Sequence, residues 1–178
     1  MHTASLSPST FSTTVMSPLA LNEKHAPDAD IEFNDHTGIV DALYRFGAGQ
    51  DTHDTALFAS AFAHDAALDF TQPAGRLGRE MPVLQGRDRI VQTIMPSIAS
   101  LDTTHTVTNV RVAVQDERAT AWALVEAQHL PKENHASWLL LKNIYSVALL
   151  KEDGVWRIVH LRIDNVWFQG DPAVLFPG

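Results

Sequence analysis

The chain has 178 residues, of which 45% are apolar, a formal net charge of −8 and no cysteine. This size and apolar content predict one domain with a single hydrophobic core, and the spread acidic charge disfavours nucleic acid and anionic membrane surfaces as partners. Without cysteine, disulfides, thiolate nucleophiles and cysteine-ligated metal sites are excluded, so any chemistry must come from His, Asp, Glu, Tyr, Arg, Ser or Thr.

The first 33 residues are rich in Ser, Thr, Pro and Ala and show neither helical nor strand periodicity. We interpret residues 1–33 as a flexible arm. They lack the basic start and long apolar run of a secretory signal, and no arginine precedes Arg45. The chain also lacks an apolar run of about 18 residues that could span a membrane. We expect a cytoplasmic protein whose folded domain covers residues 34–178.

Two amphipathic helices are predicted after the arm. Asn34 or Asp35 caps the first, and two glycines interrupt it near its end. Asp51 or Thr52 caps the second, which ends at the sequence HDAALDF. A short strand over residues 67–70 follows.

The rest of the chain predicts a loop, a third helix and a meander of strands. The Pro- and Gly-rich residues 73–86 form a loop or ragged hairpin, and the sequence GRDRIVQTIMPSIAS forms a helix that Pro96 kinks or shortens. After Leu101 the hydrophobic period changes to two, which predicts four strands. They cover residues 105–114, 120–130, 138–150 and 155–168. This order indicates an α+β fold with helices on one face of a curved sheet.

Four stretches of the chain carry a family resemblance. They are YRFGAGQDTHDTALFASAFAHDAALDF, LQGRDRIVQTI, TTHTVTNVRVAVQDERATAWALVEAQH and DGVWRIVHLRIDNVWFQGDP. They resemble the SnoaL-like family of the nuclear-transport-factor-2-like superfamily. The resemblance implies a cone-shaped, cystatin-like fold in which three N-terminal helices and a curved mixed or antiparallel sheet enclose a pocket. The group includes scytalone dehydratase, bile acid dehydratase and hexachlorocyclohexane dehydrochlorinase, but also silent binding modules, so a pocket rather than one reaction is implied.

The resemblance also implies a pair of catalytic residues. In the dehydratases and dehydrochlorinases, a catalytic Asp lies between the first two helices and a catalytic His begins the first long strand. The matching residues are Asp51 in GQDTHD and His105 in TTHTVTN. Neutral imidazole can remove a proton, and a carboxylate on its other nitrogen fixes the tautomer and stabilises the imidazolium. A helix cap and an ordinary strand-end histidine are the structural alternatives.

An apolar lining is expected around this pair, and one family feature is missing. Some relatives have a tyrosine one turn before the aspartate, where this chain has Phe46, so a tyrosine-assisted leaving-group step from that position is not expected. The residues expected to line the pocket are Phe46, Phe62, Ile94, Trp122 and Trp167.

Three polar residues are further candidates for substrate binding. Tyr145 could donate a hydrogen bond to a substrate oxygen. Arg162 could hold an anionic oxygen or instead pair with Asp164, Asp69 or a carboxylate on a helix. His129 could line the mouth of the cavity or be exposed to solvent. Strict alternation places Arg162 and Trp167 on opposite faces of the last strand. That strand is apolar on both faces, so a homodimer or larger homo-oligomer is expected.

No metal or cofactor is predicted. The nine histidines show no HxH or HExxH spacing, and neither a phosphate-binding glycine loop nor a dinucleotide fingerprint is present. We therefore expect a cofactor-independent lyase, of dehydratase type, or an isomerase that acts on a small apolar, ring-containing metabolite.

Two alternatives to an enzyme stay open. One is a non-catalytic small-molecule-binding or dimerisation module with the same pocket, in which Asp51 and His105 are not in contact. The other is an accessory subunit like the β subunit of ring-hydroxylating dioxygenases.

Overall fold

The computed structural model describes residues 35–176, so the predicted arm over residues 1–33 lies outside the described residues. The helices in this range are α1 (Asp35–Asp51), α2 (Thr55–Ser60), α3 (Thr71–Arg76) and α4 (Arg87–Ser97). The strands are β1 (Phe62–Asp69), β2 (Leu84–Gln85), β3 (Leu101–Gln115), β4 (Arg118–Pro131), β5 (Leu139–Glu152) and β6 (Val155–Gly170), and a 3-10 turn, Pro172–Val174, follows.

The strands form one mixed sheet in the order β2-β1-β6-β5-β4-β3. The pair β1 and β6 is parallel, and every other neighbouring pair is antiparallel. The α+β prediction, with helices over a curved mixed sheet, is confirmed. No helix within residues 35–176 is both long enough and apolar enough to cross a bilayer.

The long helix α1 passes through Gly47 and Gly49, so the prediction that these glycines interrupt it is wrong. A Cβ on Gly47 would lie 2.9 Å from the Cβ of His105, and one on Gly49 would lie 2.5 Å from the backbone nitrogen of Phe58. The glycines are therefore required for close packing. They let the end of α1 approach β3 and α2 more closely than any residue with a side chain would allow.

Gly49→Ala is expected to lower the free energy of unfolding by at least about 2 kcal/mol, because the added methyl meets backbone atoms that cannot rotate away. Gly75→Ala is the matched control, since it also lies in a helix and a Cβ there meets nothing within 4 Å. The control should be neutral or stabilising by up to about 1 kcal/mol. Urea unfolding of both variants checks this, and equal stability would contradict the packing role of Gly49.

The second helix begins later than predicted, and the strand after it begins earlier. Asp54 caps α2, since its Oδ1 accepts a hydrogen bond from the backbone N–H of Leu57 at 2.9 Å. Asp51 is the last residue of α1, and its carboxylate bonds to β3 instead of capping α2. The first six residues of HDAALDF lie in β1, and Phe70 follows the strand. A register shift between Phe62 and Ala67 breaks the alternation expected of this strand.

The short helix α3 lies where the sequence predicts a loop. The parallel pairing of β1 with β6 extends to Asp69 and Arg162. Three residues further along β6, the amide side chain of Gln72 accepts a bond from the N–H of Asn165 at 2.7 Å and donates one to its C=O at 3.3 Å. Gln72 thus makes the two backbone hydrogen bonds that a neighbouring strand would make, and it holds this part of β6 in place.

Strand β6 contains two bulges relative to β5. The first leaves Val159 out of register with β5, and the second leaves Val166 out of register. Each extra residue moves the following side chains to the other face of the sheet. As a result, Arg162 and Trp167 both lie on the outer face, away from the helices, and strict alternation fails for this strand.

The outer face of the sheet carries exposed aromatic side chains. Trp122 is 37% exposed and Trp167 is 45% exposed. Large apolar side chains on a surface are a common feature of subunit interfaces. The expected homo-oligomer remains a prediction.

Candidate active site

A cavity of about 480 Å³ lies between the helices and the inner face of the sheet. This volume is within the range of small-molecule sites. Its wall is mostly apolar and includes Phe46, Leu68, Ile94, Ile98, Leu141 and Ile163. Nine polar side chains also line it, namely Gln50, Arg79, Glu80, Thr93, Ser97, His105, His129, Asn143 and Tyr145.

Asp51 and His105 are in direct contact at this cavity. Oδ1 of Asp51 lies 2.6 Å from Nδ1 of His105, and Oδ2 accepts the backbone N–H of His105 at 2.7 Å. The hydroxyl of Thr103 donates to Oδ1 at 2.8 Å. With Nδ1–H donated to the carboxylate, the lone pair of the ring is on Nε2. The arrangement is that of an imidazole base oriented by a carboxylate.

Hydrogen bonding keeps Asp51 ionised. Burial raises the pKa of this carboxyl, but the hydrogen bonds and charge of His105 and the hydroxyl of Thr103 outweigh it, so the pKa of Asp51 is lowered from 3.8. The carboxylate is therefore charged at neutral pH, as a partner for an imidazolium requires.

His129 is buried in the cavity wall, so the alternative that it is exposed to solvent is wrong. Its ring packs edge to face with that of His105, with 6.0 Å between the centroids. Burial, with the nearby His105, lowers the pKa of His129 to about 4. Its Nδ1 has no hydrogen-bond partner among residues 35–176. His129 is thus a buried, neutral imidazole in the cavity wall.

The stability of the protein should decrease from pH 7 to pH 5 in part because of His129. In the unfolded chain His129 binds a proton near pH 6.5, whereas in the folded chain the buried imidazole stays neutral until the pH falls to about 4. Between these two pH values protonation therefore favours unfolding. This residue should account for about 2 kcal/mol of the loss. Urea unfolding at both pH values should show a smaller loss for His129→Gln than for His160→Gln, a change at an exposed histidine. Equal losses in the two variants would contradict a buried neutral His129.

Phe46 and Tyr145 lie next to the Asp51 and His105 pair. The ring of Phe46 is 6.3 Å from the ring of His105 and 5.8 Å from the ring of Tyr145, edge to face in both cases. Burial raises the pKa of Tyr145, and the negative charge of Asp51 raises it further. Tyr145 therefore keeps its proton and can act only as a neutral donor or acceptor in the cavity.

The structure corrects the placement of four residues expected in the pocket. Trp122 alternates with buried alanines of β4 and points to the outer face, and Trp167 follows the second bulge of β6 to the same face. Arg162 is exposed there and forms a bidentate pair with Asp164, with N–O distances of 2.9–3.1 Å, so the ion-pair alternative is correct. Phe62 is buried in the core rather than in the cavity wall.

Several residues of the site are not identified by the sequence analysis. Gln50 and Asn143 line the cavity, and Arg79 and Phe176 belong to two loops at its wall, where the guanidinium of Arg79 donates to the Phe176 carbonyl at 3.3 Å. The sequence places Asn143 on the same strand face as Tyr145, which is the signal that could identify it. Residues 35–176 contain no group of three or more His, Asp or Glu side chains that could hold a metal ion.

Comparisons with known proteins give one family and one fold. The SnoaL-like domain model matches residues 32–162. Terrestric acid biosynthesis cluster protein E from Penicillium crustosum is 34% identical over 148 residues, which are 79% of this chain and 89% of that protein.

Solved structures of the same fold include two whose names describe a reaction. A protein assigned as a scytalone dehydratase from Novosphingobium aromaticivorans is 17% identical with a TM-score of 0.66, over 76% of this chain and 87% of that one. Hexachlorocyclohexane dehydrochlorinase LinA-type3 from Novosphingobium barchaimii is 20% identical with a TM-score of 0.60, over 76% and 88%. At these identities the two structures show the fold alone.

Proposed function

Since the chain belongs to the SnoaL-like domain family, we propose that it is a cofactor-independent lyase of dehydratase type that acts on a small, ring-containing metabolite. One observation carries the proposal. His105 lines an apolar cavity while its Nδ1 is held by the carboxylate of Asp51 at 2.6 Å. A structural cap or an ordinary strand-end histidine would not need this arrangement.

The proposed reaction removes water from a β-hydroxy carbonyl compound. Nε2 of His105 takes the proton from the carbon next to the carbonyl, and the electron pair of that C–H bond moves toward the carbonyl oxygen. The C–O bond to the β-hydroxyl group then breaks as a carbon–carbon double bond forms. The leaving hydroxide takes the proton back from the imidazolium, which releases water and restores neutral His105.

The surroundings favour this sequence of steps. Asp51 stabilises the imidazolium as it forms, and the apolar wall excludes water, which strengthens that attraction. His129 is neutral, so it can hydrogen-bond to the leaving oxygen without placing a second positive charge beside His105.

The relatives support the same class of reaction. The names of the two solved neighbours describe eliminations, of water in one and of hydrogen chloride in the other. The curated relative is named for a biosynthesis cluster of an organic acid. A biosynthetic elimination on a ring compound is consistent with all three names.

Hydrogen exchange at a ketone tests the proton transfer separately from the leaving group. The full chain is incubated in D2O with a panel of cyclic ketones that includes 1-tetralone, and deuterium at the carbon next to the carbonyl is measured by mass spectrometry. The panel also includes β-hydroxy ketones such as scytalone, for which loss of water is measured. We expect faster exchange with the protein than without it. Binding of these ketones without any exchange would favour a non-catalytic binding protein in which the contact of Asp51 with His105 is only structural.

A further inference from the structure

We propose that Asn165 is a positioning residue. It turns the amide of Asn143 so that its NH2 group faces the cavity, and it thereby selects substrates with a hydrogen-bond-accepting oxygen, such as a carbonyl, at that point. The inference rests on the proposed function for its mechanism and adds a substrate class to it.

The direction of the hydrogen bonds around Asn165 is set by the backbone. Its Nδ2 lies 2.9 Å from the C=O of Trp167 and 3.3 Å from the C=O of Lys142. Carbonyl oxygens only accept, so a nitrogen must occupy this position. The same Nδ2 is 3.0 Å from Oδ1 of Asn143. The two hydrogens of Nδ2 are shared among these three oxygens. Asn143 must present its oxygen to Asn165, because its own NH2 group would face another donor.

This orientation of the Asn165 amide is energetically unfavourable for its oxygen, which indicates that the groups around its nitrogen determine it. The Oδ1 of Asn165 is buried and has no donor among residues 35–176. A buried acceptor without a partner is unfavourable, so the side chain would turn over if the acceptors around its nitrogen allowed it. The three oxygens around Nδ2 prevent this.

The position of Asn165 is fixed from two sides. The second bulge of β6 lies beside it, between the pairs Asn143–Asn165 and Lys142–Trp167. On the other side, Gln72 of α3 bonds to both its N–H and its C=O. Asn165 is 3% exposed and Asn143 is 2% exposed, so neither side chain can exchange its protein hydrogen bonds for hydrogen bonds to solvent.

The consequence for the cavity is a donor with a fixed direction. Asn143 lines the cavity and its oxygen is engaged by Asn165, which leaves its NH2 group for a ligand. The strand registers place Asn143 two strands and two residues from His105, about 12 Å between Cα atoms. A ring can lie between the two side chains, with its carbonyl oxygen at Asn143 and the adjacent C–H at His105.

Tyr145 adds a second donor to the same place. It is two residues from Asn143 on the same face of β5 and keeps its proton. As the C–H bond breaks, negative charge develops on the carbonyl oxygen, and preorganised donors stabilise it. The orientation of the Asn143 amide therefore affects the rate of the chemical step as well as the binding of the substrate.

Two ligands that differ by one oxygen test the proposal. Dissociation constants of 1-tetralone and of tetralin, which has the same rings without the carbonyl, are measured by calorimetry for the full-length wild type and its variants. The ratio of the two constants is compared between proteins, so that differences in ligand hydration cancel. Relative to wild type, Asn143→Leu should lose about tenfold in preference for the ketone, and Asn165→Leu at least about threefold. Asn134→Leu, in an exposed loop, is the control and should change nothing.

A spectroscopic signature separates positioning from general loosening of the pocket. The infrared carbonyl stretch of bound 1-tetralone should lie at lower wavenumber than in hexane for the wild type, and should return toward the hexane value in Asn165→Leu. A merely structural role would weaken both ligands equally and leave the stretch of the bound ketone unchanged.

Asn143→Asp keeps the test decisive if Asn165→Leu does not fold. It preserves an oxygen for Asn165 and, once ionised, presents only acceptors to the cavity, so the preference for the ketone should be lost at alkaline pH, with some loss of stability because the carboxylate is buried. An unchanged preference for the ketone under these conditions would show that no NH2 group of residue 143 faces the ligand and would overturn the proposal. Binding and infrared data need no turnover, so they stand even if the exchange assay finds no lyase activity.

Discussion

Replacing His105 with alanine is expected to lower kcat by at least about 100-fold and to abolish deuterium exchange into the ketone probes. General bases contribute about 10²–10⁴-fold, and no other cavity residue combines a free ring nitrogen with a carboxylate partner among those the structure describes. The fold should persist, because alanine keeps the backbone N–H that bonds to Asp51. Exchange rates, with circular dichroism to check folding, measure the effect.

The chain contains a matched control for this variant. His135 also pairs with a carboxylate, since its Nε2 lies 2.8 Å from Oδ2 of Asp102, but both side chains are exposed and lie outside the cavity. His135→Ala should exchange like the wild type. Exchange by His105→Ala at the wild-type rate would end the assignment of His105 as the base, and another group would have to carry the proton transfer.

Asp51→Asn should be nearly as damaging, with kcat lower by about 10²–10⁴-fold. The carboxylate accepts three hydrogen bonds, from Nδ1 and the backbone N–H of His105 and from the hydroxyl of Thr103. An amide has only one oxygen, so its NH2 group must face one of these donors. If it faces Nδ1, the ring takes the other tautomer and Nε2 no longer has a lone pair for the substrate.

Stability distinguishes this effect from simple misfolding. Because the pKa of Asp51 is lowered from 3.8, its contribution to folding is complete above that pH and is lost as the pH falls through the folded-state value. The stability difference between wild type and Asp51→Asn should therefore be largest near pH 7 and shrink below about pH 3 to 4. Asp102→Asn, in the exposed pair, should lose neither activity nor much stability. A pH-independent difference for Asp51→Asn would contradict the ionised partner.

Much of the fold follows from periodicity in the sequence. Isoleucines at four-residue spacing identify α4, and the change to a period of two after Leu101 identifies the four long strands. The failures have a common cause. Gly47 and Gly49 suggest a helix break when the contacts they permit with β3 and α2 are unknown. The local sequence shows that a glycine is present, but it does not show which residue packs too closely to allow a side chain there.

The site was predictable only in part, for a similar reason. Asp51 and His105 are separated by 54 residues, and only the family resemblance pairs them. Alternation correctly groups Asn143 with Tyr145, but the two bulges of β6 defeat it at Arg162 and Trp167. A bulge is defined by the register between strands, so it leaves little trace in one strand's sequence.

The carboxylate of Asp51 makes two kinds of contact, and a loss of catalytic activity would affect them differently. One oxygen orients the imidazole, while the other holds the backbone of β3, an edge strand, against the end of α1. A family member that no longer catalyses would still need the second contact, whereas nothing in the backbone requires an imidazole at position 105. In inactive descendants we expect the aspartate to persist and the histidine to vary. The histidine is therefore the better guide for separating enzymes from binding proteins among relatives of this chain.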